Sequence, residues 1–257
     1  MIEIIIKASQ DAAKKILEIY AQDFEVFEKS DESPLTLADQ QAHNVILSYL
    51  QKTPYPILSE EGKTLPYDER KRWDEFWLVD PLDGTKEFIK KNGEFTVNIA
   101  LIRKGIPVLG VVYAPVLNQL YLGGEGLGAY KIALTPDETF SSDMLNESTR
   151  IPKATPPIYT IVASKSHHSP ETEAFVNQVR QKNGEIDFVS MGSSLKLCLV
   201  AEGVAHVYPR LAPTMEWDTA AGHAVCLAAG KRVYRHDDKT DLIYNKENLL
   251  NPFFVVE

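Results

Sequence analysis

Residues Trp77–Phe88 read WLVDPLDGTKEF. Trp77, Leu78 and Val79 form a short apolar run of the kind that makes a buried strand. The run is expected to stop at Asp80-Pro81, because proline cannot continue a central strand and sets φ for a turn. Asp83, Gly84 and Thr85 follow. Two carboxylates around a proline-set turn at a strand end can point into one small space, where they repel. A hard divalent cation removes that cost by taking oxygen ligands from both. Gly84 lets the backbone come close to an anion, so the N–H groups of Gly84 and Thr85 can cradle phosphate oxygens. Asp-Pro and Asp-Gly are also ordinary turn pairs, and an isolated D-P-x-D says little more than that. The full D-P-L-D-G-T at the end of an apolar strand is more specific and points to a metal-assisted phosphate site.

Together with Lys86-Glu87-Phe88 and the following KKNGEFTVNIALI, this stretch resembles the inositol monophosphatase superfamily of lithium-sensitive phosphomonoesterases. Within that superfamily it is most similar to the 3'(2'),5'-bisphosphate nucleotidases of the CysQ type.

Upstream, Ala8, Ala12, Ile16 and Ile19 recur at helical spacing and predict an amphipathic helix from about Ile6 to Tyr20. Phe24–Phe27 reads as a short extended piece, followed by a polar loop, Lys29–Pro34. A second helix is expected from about Thr36 to Leu50, with Asp39 in its first turn. An acid there ordinarily offsets the helix dipole. The resemblance gives it another role, because S-P-L-T-L-A-D corresponds to the family segment whose aspartate partners the threonine of D-G-T, here Thr85. Pro56–Gly62 is a short apolar run ending in Glu60-Glu61. Adjacent glutamates before a glycine usually make a solvated turn, whereas the resemblance places Glu60 on metal and water, with Glu61 behind it.

Downstream, Lys91-Asn92-Gly93 signals a hairpin, leading to strands at about 96–102 and 108–113. The cluster Gly123–Gly128 lacks the strand-to-helix context of a dinucleotide loop and reads as a flexible hairpin between 120–122 and 129–132. From about 134 to 157 the chain is rich in Ser, Thr, Pro and Asp, which places a lobe junction there. The lobes are then about 1–135 and about 156–257. The second opens with a strand, Tyr159–Ala163, then a loop holding His167 and His168. Ser169-Pro170 looks like a helix start, and that helix runs to about Lys182. His167 suits a loop beside a nucleoside, or is an ordinary surface histidine. Gly192-Ser193-Ser194-Leu195-Lys196 introduces an apolar helix to Ala201, and serines at a helix start are caps or anion contacts. A strand Ala205–Tyr208 precedes Arg210. Asp218 is expected to cap a small-residue helix, Thr219–Ala229, ended by Gly230. No role follows from the sequence for Glu216.

Composition bounds these readings. The chain has 257 residues, 44% hydrophobic and 25% charged, with net charge −9. A chain this long buries roughly 75% of its unfolded surface. The negative charge argues against polymeric nucleic acid as a partner and requires local cations for a phosphate ester. Cys198 and Cys226 lie among apolar residues and read as buried thiols. No stretch reaches the about 18 apolar residues of a membrane span, so a cytoplasmic setting is expected, compatible with peripheral attachment to the inner face of the membrane.

The resemblance covers the chain from the first helix to Asn251-Pro252 and implies a layered α/β/α/β/α sandwich with the site between two lobes. It implies roughly two or three Mg²⁺ ions held by Glu60, Asp80, Asp83, Asp218 and the main-chain carbonyl of Leu82. Thr85, polarised by Asp39, would orient the attacking water together with Glu60. Gly84, Ser193, Ser194, Lys196 and Arg210 would meet the nucleotide, Lys196 and Arg210 through phosphate or ribose. The implied reaction is hydrolysis of adenosine 3',5'-bisphosphate to AMP and phosphate by direct attack, inhibited by lithium, with 3'-phosphoadenylyl sulfate as a further substrate and a role in sulfur assimilation. A monomer or weak dimer is expected. The alternatives are an inositol monophosphatase or sugar bisphosphatase with the same cluster, and a sensor that binds nucleotide without turnover.

Overall fold

The computed structural model describes residues 1–22, 34–63, 65–163 and 170–257. Phe24–Phe27, most of the Lys29–Pro34 loop, and Ser164–Ser169 with His167 and His168 lie outside them.

Helix α1 (Ile2–Tyr20) buries Ile5, Ala8, Ala12, Ile16 and Ile19. It packs along α2 (Pro34–Leu50), which opens on a proline, the residue whose missing N–H costs nothing at a helix start. Because α2 begins at Pro34, Asp39 stands in its second turn, not its first. The chain then forms β1 (Ile57–Ser59), α3 (Tyr67–Arg70), β2 (Glu75–Asp83), α4 (Thr85–Ile89), β3 (Thr96–Arg103), β4 (Ile106–Ala114), β5 (Gln119–Gly124), β6 (Gly128–Ala133) and β7 (Arg150–Ile151). These seven strands form one sheet in chain order, with β1 and β2 parallel and the remaining neighbours antiparallel. Trp77 and Val79 face the α1–α2 side, whereas Phe76 and Leu78 face the opposite core. Burial on both faces explains why this strand reads as a continuous apolar run instead of an alternating one.

The second half supplies β8 (Tyr159–Ala163), α5 (Pro170–Asn183), β9 (Ile186–Ser190), α6 (Leu195–Glu202), β10 (Tyr208–Arg210), α7 (Glu216–Ala228), β11 (Val233–Arg235) and β12 (Phe254–Val256). Parallel β8–β9 and the antiparallel trio β10–β12–β11 are joined where the Val162 N–H donates to the Val207 carbonyl at 2.8 Å. Helix α7 lies across β3, β4 and β5, α6 packs between it and β8 and β10, and α5 covers β9 and β10. The layers are therefore helix, sheet, helix, sheet, helix, as expected.

Several local readings are corrected. The strand β2 does not stop at Asp80-Pro81 but continues to Asp83. Its pairing with β3 shifts register between Asp80 and Asp83, so Pro81 and its missing N–H fall in the irregularity. The connection from β2 to β3 is not a simple hairpin, because α4 intervenes and Lys91–Gly93 forms the turn after it. Asp218 does not precede its helix: α7 starts at Glu216, and Met215 is the cap. Strand β10 begins at Tyr208, so Arg210 ends it instead of following it.

The glycine cluster is not merely a flexible hairpin. Gly123 and Gly124 lie within β5, and only the turn at residues 125–127 separates it from β6. Gly123 pairs directly with Gly110 on β4, and α7 rests on the bare backbone of both. A Cβ on Gly110 would come within 2.6 Å of the Ala221 carbonyl oxygen, and one on Gly123 within 2.5 Å of the Val225 Cα. Glycine in a strand interior here marks close backbone approach. Gly123→Ala should lower stability by about 1–3 kcal/mol through overpacking, read as a decreased urea midpoint; an unchanged midpoint would contradict this account.

Candidate active site

Parallel pairing brings the first two acids together. Ser59 is in register with Val79, and the Glu60 N–H donates to the Val79 carbonyl at 3.1 Å, which sets Glu60 beside Asp80. Asp80 is 1% exposed, and its Oδ1 accepts the Leu82 N–H at 3.1 Å across the register shift. The side chain of Leu82 enters the core. Asp218 comes from α7, and its carboxylate reaches back to the Met215 N–H at 2.9 Å, closing the first turn. Ligand oxygens of Glu60, Asp80 and Asp218 lie within 4.8 Å of one another.

Asp83 adjoins this trio but is held separately: its Oδ2 accepts the Ser193 hydroxyl at 2.6 Å, the Ser194 N–H at 2.6 Å and the Ser194 hydroxyl at 2.8 Å. Thr85 is the first residue of α4, after Gly84 at φ +100°. A side chain on Gly84 would be strained by that angle and would crowd Phe95 and Ser193, each 3.2 Å from its Cβ. Helix α2 packs on β2 and touches α4, so Asp39 and Thr85 stand on neighbouring elements. Glu61 is exposed in the turn after β1.

Burial, then Asp83, Glu60, Asp218 and Asp39 in that order, push the Asp80 carboxyl well above the ordinary range. Burial and Asp83 raise Asp218 to about 7, against the opposing pull of the Met215 N–H and Arg210. Such a set of oxygen-only donors fits a hard divalent cation, which would replace the protons that otherwise relieve the repulsion.

Lys196 and Arg210 line one cavity together with Asp83 and Asp218. Lys196 is 9% exposed, donates to the Met191 carbonyl at 3.3 Å, and is lowered by burial to about 8. Arg210 donates from Nη2 to the Pro213 carbonyl at 2.9 Å, while its buried Nε has no partner among the described residues. An orphaned guanidinium donor beside a buried ammonium fits a phosphate oxygen. Ser194 is the residue before α6, yet its hydroxyl caps nothing and instead donates towards Asp83 and the Asp218 carbonyl.

The residue without a role in the sequence, Glu216, is fully buried. It accepts the Asn245 N–H at 2.6 Å, the Lys246 N–H at 2.9 Å and the Lys246 ammonium at 2.6 Å. It fastens the segment before β12 to the start of α7 and so helps fix Asp218. Its position at the end of a loop and start of a helix beside a ligand candidate was the available signal. Thr96 and Asn98 on β3, unmarked by any motif, contact Ser193 and Ser194.

The inositol monophosphatase family profile matches residues 1–252. The chain belongs to that family. It is similar to the 3'(2'),5'-bisphosphate nucleotidase CysQ of Salmonella typhimurium, 46% identical over 260 aligned positions that span 100% of this chain and 99% of that protein. The CysQ nucleotidase of Escherichia coli K12 is 45% identical over the same shares. The crystal structure of CysQ from Bacteroides thetaiotaomicron superposes with a TM-score of 0.92 at 52% identity, covering 99% of this chain and 95% of that one. An inositol monophosphatase from Zymomonas mobilis shares the fold with a TM-score of 0.75 at 20% identity over 98% of this chain and 90% of its own. Enzymes of the family are metal-dependent, in keeping with the acidic cluster. Among the described residues, no helix is long and apolar enough to cross a membrane.

A carboxyl whose folded pKa lies above its unfolded value of about 4 keeps an extra proton in the native state, so native stability falls as pH rises from about 4 through the folded value. With chelator present, the cluster's contribution should therefore weaken from about pH 5 to about pH 8, and the rise in melting temperature on adding Mg²⁺ should grow over the same interval. Scanning fluorimetry giving equal Mg²⁺ shifts at both pH values would rule this out.

Proposed function

We propose that the protein is a Mg²⁺-dependent 3'(2'),5'-bisphosphate nucleotidase that hydrolyses adenosine 3',5'-bisphosphate to AMP and phosphate, and accepts 3'-phosphoadenylyl sulfate. The observation that carries the reading is the meeting of two charge types in one cavity. Asp83 and Asp218 line that cavity with Lys196 and Arg210, and Asp218 also converges with Glu60 and Asp80. Full-length similarity to CysQ nucleotidases supports the nucleotide as substrate over an inositol ester.

In this reading Glu60, Asp80, Asp83 and Asp218, with the Leu82 carbonyl, hold roughly two or three Mg²⁺ ions, which neutralise phosphate charge and acidify water when bound. Thr85 and Glu60 orient the water in line with phosphorus, and Asp39 sets the proton position on the Thr85 hydroxyl. The N–H groups of Gly84 and Thr85 face the phosphate being transferred. Lys196 and Arg210 fix the remaining phosphate and ribose and so place the 3'-ester, because phosphoryl transfer depends mainly on position and charge. The metal cluster belongs mostly to a first lobe and the nucleotide contacts to a second, with Asp218 reaching across. The protein acts as a monomer or weak dimer in the cytoplasm, within sulfur assimilation.

The test is phosphate release from adenosine 3',5'-bisphosphate and inositol 1-phosphate with Mg²⁺, with and without lithium. Nucleotide preference that lithium abolishes is expected. Preference for the inositol ester would overturn the substrate, and release no greater than a metal-free blank would overturn the enzyme in favour of a nucleotide sensor. Asp83→Asn should reduce kcat about 100-fold or more. Because burial lowers Lys196 to about 8, its ammonium is progressively lost above that pH and KM for the nucleotide should rise there. Lys196→Met should raise KM about 10- to 100-fold at neutral pH, the magnitude of a lost hydrogen bond to a charged group, and should remove the rise.

A further inference from the structure

The sequence reading assigns Ser193 and Ser194 to the nucleotide. Their hydrogen-bond inventory argues otherwise. A hydroxyl carries one proton and two lone pairs. The Ser193 Oγ proton goes to Asp83 Oδ2 at 2.6 Å, and its lone pairs accept from the Thr96 hydroxyl at 2.6 Å and the Ser194 N–H at 2.6 Å. The direction of the Thr96 contact follows, since the proton on Ser193 is already committed. Ser194 Oγ accepts from the Asn98 side-chain amide at 2.9 Å, and its single proton has two acceptors, Asp83 Oδ2 at 2.8 Å and the Asp218 carbonyl at 2.5 Å. A phosphate oxygen can only accept, and neither serine has a proton left to give it.

The supporting groups are rigidly placed. Thr96 and Asn98 are fully or almost fully buried on β3, and Asn98 is the cross-strand partner of Asp80. The Gly192 N–H is tied to Glu94 Oε2 at 2.8 Å. Ser193 holds φ +52°, a backbone conformation that costs a non-glycine residue and persists where the surroundings enforce it.

We infer that Ser193 and Ser194, backed by Thr96 and Asn98, are positioning residues for Asp83: they immobilise Oδ2, leave Oδ1 to the metal, and tie β2 to the start of α7. The inference rests on Asp83 being a metal ligand. It makes the Gly192–Lys196 loop part of the metal site as well as the carrier of Lys196. Partners that orient a ligating carboxylate affect metal affinity about 10- to 100-fold.

The test measures Mg²⁺ dissociation constants by calorimetry on the full chain without nucleotide, alongside kcat at saturating Mg²⁺. Ser193→Gly, which relieves the backbone while deleting the hydroxyl, and Ser194→Ala should each weaken Mg²⁺ binding about 10-fold or more. Thr96→Val, a near-isosteric change outside the cleft, should weaken it less but in the same direction, with the nucleotide KM unchanged at saturating Mg²⁺. If a serine variant fails to fold, Thr96→Val carries the test. Wild-type Mg²⁺ affinity in the variants, with affinity lost in Asp83→Asn, would overturn the inference and return the serines to the nucleotide. Wild-type affinity in Asp83→Asn would remove the ligand assignment itself, and the inference with it.

Discussion

Like charges have to be held together for this site to exist. Asp80 is buried with Asp83, Glu60, Asp218 and Asp39 all raising its proton affinity, and no two neighbours in that group are supplied by the same stretch of regular structure except Asp80 and Asp83. Glu60 is delivered by the parallel β1–β2 pair, Asp83 by a register shift around Pro81, and Asp218 by a helix seated on bare glycine backbone. The repulsion is borne by packing elsewhere, which is the usual arrangement when a functional site is locally unfavourable. The Gly110–Gly123 pair, distant in sequence from every acid, matters for that reason: it sets how closely α7 approaches the sheet.

Charge of both signs meets in one cavity. A chain with net charge −9 places Lys196 almost out of water at the start of α6 and Arg210 at the end of β10. A ligand bearing two phosphates can then be gripped at one group and reacted on at the other. Lys196 sits close enough to Asp83 to be stabilised by it, while Arg210 opposes its charge. The cations and acids are thus electrically coupled even before ligand enters.

Much of this was legible in the sequence because the signals are local. The buried run Trp77–Val79, the helical spacing of α1, the proline opening α5 and the order of the acidic motifs each follow from residues within one or two turns of each other. What is not legible depends on register and on tertiary approach. Pro81 looks like a strand terminator in the sequence, because the shift that accommodates it is a property of pairing with β3. Asp218 looks like a cap in the sequence, because its three-residue reach back to Met215 depends on where α7 begins. Thr96 and Asn98 look like ordinary strand residues, and only the placement of the Ser193–Ser194 loop above them reveals their hydrogen bonds. The role of Glu216 depends on Asn245 and Lys246, 29 and 30 residues further along the chain.

Strand β12 occupies the middle of its sheet, between β10 and β11, with Phe254 opposite both Arg210 and Arg235. It is also later in the chain than either neighbour. During synthesis, therefore, β10 and β11 have no common strand partner until residues 254–256 emerge, although β10 also packs on β8, α5 and α6. Domains that fold as they leave the ribosome generally do so from the N-terminal side. Here the seven-stranded sheet precedes β12 in the chain, and the sheet carrying Arg210 is completed only when β12 is made.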